Sequence, residues 1–308
     1  KTLVGRRRLI RKRESKCSWT GSKTILMYLK CSIDDGKTLF KPDLEHAHVQ
    51  PPIKPLVKKG RLMEITKTGI PGFDELVPGG LPKYRCYVLY GGPGSGKTTF
   101  AIQFLVNGAT EFNEPGIYIT LNESPEEIRE NMLKFGWDLK KLEKAGKLAI
   151  IDARPITVTP EGYITQREDL VKDEKIPFSH IVKQIYDLAK KIDAKRVAID
   201  SLTVLTTQYE DPFAIRQGTL GLVRALQHAC CTALLVSEAP KIGTVEISVE
   251  ECIAPGIIVL HNITKEGIMI RAIQILKIRG TKHNERVHPL SITDHGIEVH
   301  AKERVMEI

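Results

Sequence analysis

Gly91-Gly92-Pro93-Gly94-Ser95-Gly96-Lys97-Thr98 decides the fold of this chain. It is a complete G-x-x-x-x-G-K-[ST] phosphate loop, preceded by the apolar run Tyr87-Val88-Leu89-Tyr90 and followed by the helix-like Thr99-Phe100-Ala101-Ile102-Gln103-Phe104-Leu105. Glycines let the chain curl tightly enough to aim consecutive backbone N–H groups at phosphate oxygens. The groups so placed are those of Gly92, Gly94, Ser95, Gly96, Lys97, Thr98 and Thr99, and the positive end of the following helix dipole adds to their pull. Lys97 is expected to reach the β- and γ-phosphates as a point charge. The Thr98 hydroxyl is expected to take one position on a Mg²⁺ that bridges them. The chain is therefore expected to bind a nucleoside triphosphate with Mg²⁺.

Outward from the loop, strand and helix patterns alternate, as in an α/β fold with a mainly parallel sheet flanked by helices. The strand candidates are 85–90, 116–121, 148–152, 196–200 and 232–237, and the helix candidates 98–109, 125–135, 179–192 and 214–229. Ser124 before Pro125, with Glu126 and Glu127 next, is a capped helix start. In the last third, 256–262, 268–278 and 288–293 are β-like runs separated by turns, which predicts antiparallel C-terminal strands appended to the parallel core.

Two acids stand where the chemistry of a phosphate loop needs them. Arg196-Val197-Ala198-Ile199-Asp200 is an apolar strand ending in a carboxylate, the pattern of a Walker B element whose acid sits beside Mg²⁺. The structural alternative for Asp200 is a strand-end cap. Glu123, just past the strand at 116–121, is either the catalytic acid that orients and deprotonates the attacking water or a capping acid beside Ser124 and Pro125. Glu238 closes a later strand. His46, His48 and His228 lack metal spacing and read as ordinary surface or core histidines.

Composition bounds the rest. At 308 residues and 42% hydrophobic, the chain can bury a sizeable core. No apolar run approaches the ~20 residues of a membrane helix, and the short run 25–29 makes no convincing signal peptide. The six cysteines form no C-x-x-C pair and read as reduced thiols, which points to a cytoplasmic location. The net charge of +9 is concentrated at the front, where residues 1–60 hold 15 Lys+Arg against 5 Asp+Glu. The cluster Arg6-Arg7-Arg8-Leu9-Ile10-Arg11-Lys12-Arg13 is a solvated, flexible tail or a contact for nucleic acid; without aromatic neighbours it carries no sequence readout. Met63 precedes the first well-patterned segment and marks a second candidate start. The expected division is a basic extension over 1–62, joined through the Pro-rich stretch 51–55, and a nucleotide-binding domain over 63–308.

Several segments together resemble one family. Gly72-Phe73-Asp74-Glu75-Leu76, Gly79-Gly80-Leu81-Pro82, the phosphate loop and Ala101-Ile102-Gln103-Phe104-Leu105-Val106-Asn107-Gly108 are similar to the opening of the KaiC circadian-clock ATPases and their single-domain relatives, within the RecA superfamily. The likeness continues through Asn122-Glu123-Ser124-Pro125-Glu126, Phe135-Gly136-Trp137-Asp138-Leu139, Ile199-Asp200-Ser201-Leu202, Ile275-Leu276-Lys277-Ile278-Arg279-Gly280-Thr281-Lys282-His283 and Ser291-Ile292-Thr293-Asp294-His295-Gly296. It covers about 64–300.

The resemblance implies a RecA-like core, ATP as the nucleotide, and a homo-hexamer that binds it between neighbouring subunits. Lys277, Ile278, Arg279, Thr281, His283, Thr293 and Asp294 match the family's trans-acting set. Lys277 and Arg279, two apart on a β-like run, would face one way and could reach a neighbour's γ-phosphate; the structural alternative is a charged strand edge that resists aggregation. The family places two adjacent glutamates at the attacking water, and here the pair is Asn122-Glu123. Asn122 orients water but accepts no proton, so catalysis rests on Glu123 and slow turnover is expected. Glu250-Glu251-Cys252 replaces the phosphorylatable pair of the clock proteins, so no autophosphorylation is expected there. The functional expectation is hydrolysis of ATP that switches a protein partner. Its alternatives are a recombinase-like DNA-binding ATPase and a slowly hydrolysing, nucleotide-occupied scaffold.

Overall fold

The computed structural model describes residues 29–34, 37–42, 64–158, 164–166, 175–238, 253–265 and 268–305. The basic cluster at 6–13, His46, His48, the Pro-rich stretch, Met63 and Glu250-Glu251-Cys252 lie outside the described residues. The chain divides into two compact units, Lys1–Arg61 and Leu62–Ile308. In the first, β1 (Leu29–Asp34) and β2 (Lys37–Pro42) pair as an antiparallel hairpin.

The second unit opens with β3 (Ile65–Thr66), α1 (Phe73–Leu76) and β4 (Leu81–Pro82), and then enters β5 (Cys86–Gly91) and α2 (Lys97–Glu111). There follow β6 (Gly116–Thr120), α3 (Pro125–Leu133), α4 (Leu139–Lys144), β7 (Leu148–Asp152), and the small hairpin β8 (Ile156–Val158) and β9 (Ile164–Gln166). Next come α5 (Phe178–Ile192), β10 (Arg196–Asp200), α6 (Leu202–Thr206), α7 (Pro212–His228) and β11 (Thr232–Glu238). β12 (Gly256–Lys265), β13 (Ile268–Ile278), β14 (His288–Thr293) and β15 (Gly296–Val299) complete it.

Nine strands form one sheet in the order β15-β14-β13-β12-β5-β11-β10-β6-β7. From β12 to β7 every neighbouring pair is parallel; the antiparallel pairing begins between β12 and β13. This refines the expectation for the last third. The run at 256–262 joins the parallel core, because Gly256 to Leu260 lie beside Tyr87 to Gly91, and only the strands after it are antiparallel. The short α4, α6, β8, β9 and β15 have too few residues to show a period, so pattern alone did not mark them.

Both sheet faces are covered, and β5 shows the consequence. Tyr87 and Leu89 enter the core shared with α2, α3 and β13–β15, while Cys86, Val88 and Tyr90 enter the core beneath α5, α6 and α7. Successive residues point to opposite faces, so a strand buried on both sides reads as an unbroken apolar run. The start of α3 is built as its sequence predicts: Glu127 N–H donates to Ser124 Oγ, and Ser124 N–H donates back to Glu127 Oε2.

One buried cation ties this scaffold. The fully buried Arg196 guanidinium bonds the Glu114 carboxylate at 2.7 Å and donates to the carbonyls of Phe104 and Lys67. It lies 4.6 Å from the centre of the Phe104 ring. Each charge so removed from water has a partner, as burial demands.

Candidate functional site

The end of β5, the phosphate loop and the start of α2 form the rim of a cleft at the carboxyl edge of the parallel strands. Gly94 and Gly96 adopt φ of +72° and +95°, a region costly to any residue with a Cβ. Space around Gly92 is open on the side where a Cβ would point, whereas a Cβ at Gly91 would stand 2.4 Å from Ser95 Oγ. Ser95 is correspondingly 1% exposed, its hydroxyl turned under the loop, so any phosphate contact it makes runs through its backbone. Thr99, one residue into the first turn of α2 beyond Thr98, is partly exposed.

Lys97 Nζ donates to the carbonyls of Gly91 (2.8 Å) and Gly92 (2.9 Å), which parks the ammonium against the loop it is expected to serve. Burial lowers its pKa, and the nearby Asp200 and Glu238 carboxylates oppose that shift. Asp200 ends β10, opposite Thr120 of β6 and Val236 of β11. Its Oδ2 accepts from Thr98 Oγ1 at 2.7 Å and from the Tyr118 hydroxyl at 2.8 Å. A hydroxyl and a carboxylate so close are the hard oxygen donors Mg²⁺ takes, and the cation fits this pair.

Lys97, Thr98, Asn122, Glu123 and Asp200 therefore converge on one cleft of about 120 Å³. Tyr118, Thr120, Ser201 and Glu238 complete its lining. Glu123 stands on the far wall in the turn after β6, fixed by Thr120 Oγ1, which donates to its carbonyl at 2.6 Å. Partial desolvation, then Asp200 and Glu127, push its pKa up, against a hydrogen bond from Asn131 that pulls it down. Asn122 makes a long 3.5 Å contact from Nδ2 to Ser201 Oγ. At the end of β11, Glu238 N–H donates to Thr203 Oγ1, which in turn pairs with Ser237 Oγ.

The remaining candidates do not share this cleft. In β13, Arg271 lies opposite Asn262, close to the loop, while Lys277 lies opposite Ile257 and Ile278 opposite Gly256. Six residues of strand separate Arg271 from Lys277, about 20 Å at ~3.3 Å per residue. Lys277, Ile278 and Arg279 thus stand at the other end of the sheet from their own phosphate loop. Ile278 is a core residue there, so only its main chain is accessible to a ligand. A bulge at Leu276 shifts the register, and Arg279 lies just past the strand end, its N–H bonded to Pro255 O. Thr281 and His283 follow in the next loop, and both ring nitrogens of His283 are buried without a partner among the described residues. Thr293 ends β14 and Asp294 begins the turn to β15, where Thr293 Oγ1 donates to Gly296 O and accepts from His295 N–H.

Some contributors escaped sequence reasoning. Tyr118 and Thr120 were signalled by alternation within 116–120, which puts them on the face of Asp200, but nothing local said that face was the cleft. Asn262 donates to Pro93 O at 2.9 Å and Arg271 donates to Gly94 O at 3.1 Å, so the β12–β13 hairpin braces the loop from 169 and 177 residues away in sequence. No pattern near Gly91 announces such partners. His228, read as ordinary, pairs with the Tyr186 hydroxyl at 2.8 Å.

Comparison with known proteins agrees with this arrangement. The family model described as "ATPase: KaiC" matches residues 66–304. The chain is 38% identical over 235 residues to the circadian clock oscillator protein KaiC of Synechococcus elongatus, an alignment covering 76% of this chain and 43% of that protein. It thus spans less than half the length of that relative. It is also 38% identical to UPF0273 protein MJ1359 of Methanocaldococcus jannaschii, covering 77% of this chain and 97% of that one. The crystal structure of the KaiC-like protein PH0186 from Pyrococcus horikoshii superimposes with a TM-score of 0.66 at 37% identity, over 78% of this chain and all of that one.

Proposed function

Because the chain belongs to the KaiC family of ATPases, with a single RecA-type domain, we propose that it binds ATP with Mg²⁺ and hydrolyses it at subunit interfaces of a homo-hexamer, the cycle switching a protein partner in the cytoplasm. The observation that carries this reading is the convergence of Lys97, Thr98, Glu123 and Asp200 on one cleft beside an open phosphate loop.

The division of labour follows from positions and charges. Backbone N–H groups of the loop and Lys97 bind the phosphates. Thr98 and Asp200 would hold Mg²⁺, which when bound would neutralise charge on the phosphates. Asn122 orients the attacking water, and Glu123 accepts its proton; a carboxylate whose pKa is raised is the better base for the purpose. A second copy completes the site. Lys277 and Arg279 stand at the other end of the sheet from the loop of their own chain, so they serve a neighbour's γ-phosphate, and Thr281 and His283 extend that surface; Thr293 and Asp294 lie at the opposite end, beside Ile292, which packs on Gly96 of their own loop. Residues 63–308 form the ATPase domain and 1–62 a basic extension.

The test is ATP turnover measured together with particle mass across a dilution series, with and without single-stranded DNA. Turnover that disappears as the oligomer dissociates, and ignores DNA, is expected. A monomer that hydrolyses as fast as the assembly sinks the shared-site account. Stimulation by DNA moves the assignment to a recombinase-like ATPase.

A further inference from the structure

The ATPase reading leaves one polar group at the floor of the cleft without a task. Tyr118 lies in the middle of β6 and is 2% exposed, and a phenol buried so deeply in a strand needs a partner for its hydroxyl. That partner is Asp200: the phenol donates to Oδ2 at 2.8 Å, the same oxygen that receives the Thr98 hydroxyl at 2.7 Å. The register explains the reach. Tyr118 pairs with Ala198 and Thr120 with Asp200, so Tyr118 stands one same-face step behind the carboxylate, beside a residue that carries only a methyl group.

Two donors on one oxygen restrict the rotation of the carboxylate. Thr98 spends its proton on Asp200, which directs the lone pairs of its oxygen away from the carboxylate, toward any cation it ligates. That orientation lasts only while the acceptor is held still. Tyr118 does the holding from beneath, its hydroxyl donating to Oδ2 from a buried position in mid-strand.

We propose that Tyr118 is a positioning residue for the divalent cation: it anchors Asp200, and through Asp200 the Thr98 hydroxyl, so that both oxygens are set before Mg²⁺ arrives. The role rests on the ATPase reading. It predicts an effect confined to the cation, because Tyr118 touches neither the loop backbone nor Lys97 in the bonds described above.

The test compares the full chain with Tyr118→Phe, which removes one oxygen and keeps the ring. Affinity for a fluorescent non-hydrolysable ATP analogue is measured in EDTA and at saturating Mg²⁺, and Mn²⁺ binding to the analogue-loaded protein is followed by electron paramagnetic resonance. The expected result is equal affinity in EDTA with roughly fivefold to tenfold loss of the metal-dependent tightening and of Mn²⁺ affinity, the size of one ordinary net hydrogen bond. Undiminished tightening, or the same loss with and without metal, overturns the role of Tyr118 and leaves the ATPase reading intact. Wild-type protein that shows no metal-dependent tightening overturns both. Should Tyr118→Phe not fold, 3-fluorotyrosine at position 118 keeps the O–H as a stronger donor; Mg²⁺ affinity that holds or rises supports the proposal, and a fall overturns it.

Discussion

At the residue scale the cleft separates binding from chemistry. Lys97 contacts the loop and Glu123 faces it from the opposite wall, so their substitutions have different signatures. Lys97→Ala is expected to abolish nucleotide binding, measured by equilibrium titration. Glu123→Gln preserves shape but removes the proton acceptor; kcat is expected to fall by about 10²-fold or more with nucleotide affinity unchanged, within the range for loss of a general base. Full turnover in Glu123→Gln removes it from the mechanism. The pH dependence has a definite sign. Glu123 works as a base only when ionised, and its pKa is raised by partial desolvation and by Asp200. Acidification therefore protonates it sooner than an ordinary glutamate, and the acid limb of a kcat/KM profile is expected at higher pH than the usual carboxylate range. An acid limb at or below that range contradicts the assignment.

At the element scale, the hairpin of β14 and β15 is fastened to α2 by one side chain. The Gln103 amide donates to Ile297 O at 3.0 Å and accepts from Ile297 N–H at 2.7 Å, closing a two-point bond at a residue 2% exposed. Gln103→Leu leaves both backbone groups buried without partners, and a loss of roughly 2 kcal/mol is expected from urea denaturation. The hairpin also carries Ile292 and Ile297, whose side chains come within about 3.3 Å of a Cβ built at Gly96. Loosening it is therefore expected to weaken nucleotide binding as well as stability. A destabilised variant with unchanged affinity would separate the hairpin from the loop.

At the scale of the whole molecule, the candidate residues fall at two ends of one sheet. If each nucleotide is shared, Lys97→Ala and Arg279→Ala damage opposite sides of the same interface. Each alone is expected to be inactive or nearly so, while an equal mixture restores about a quarter of wild-type turnover, because one site in four then joins an intact loop to an intact arginine in a randomly mixed heterologous ring. No recovery in mixtures shown by mass to contain both chains contradicts a shared site.

How much of this was legible depends on where the information lies along the chain. The phosphate loop, the strand that ends in Asp200 and the cap at Ser124 are local: each is a few consecutive residues whose spacing states its geometry, and the parallel core followed from the alternation of apolar runs and helices. A short element such as α6 offers no period, and the parallel pairing of β12 with β5 is a choice of neighbour that an apolar run cannot express. The contacts of Tyr118 with Asp200, of Asn262 and Arg271 with the loop, and the distance of Arg279 from that loop join residues from about 80 to 180 apart in the chain. Sequence by itself determined the chemistry available to this protein, because a side chain carries its donors and charges wherever it lies. Tertiary structure alone decided which of those groups meet, because strand order and register are settled by the burial of both sheet faces at once.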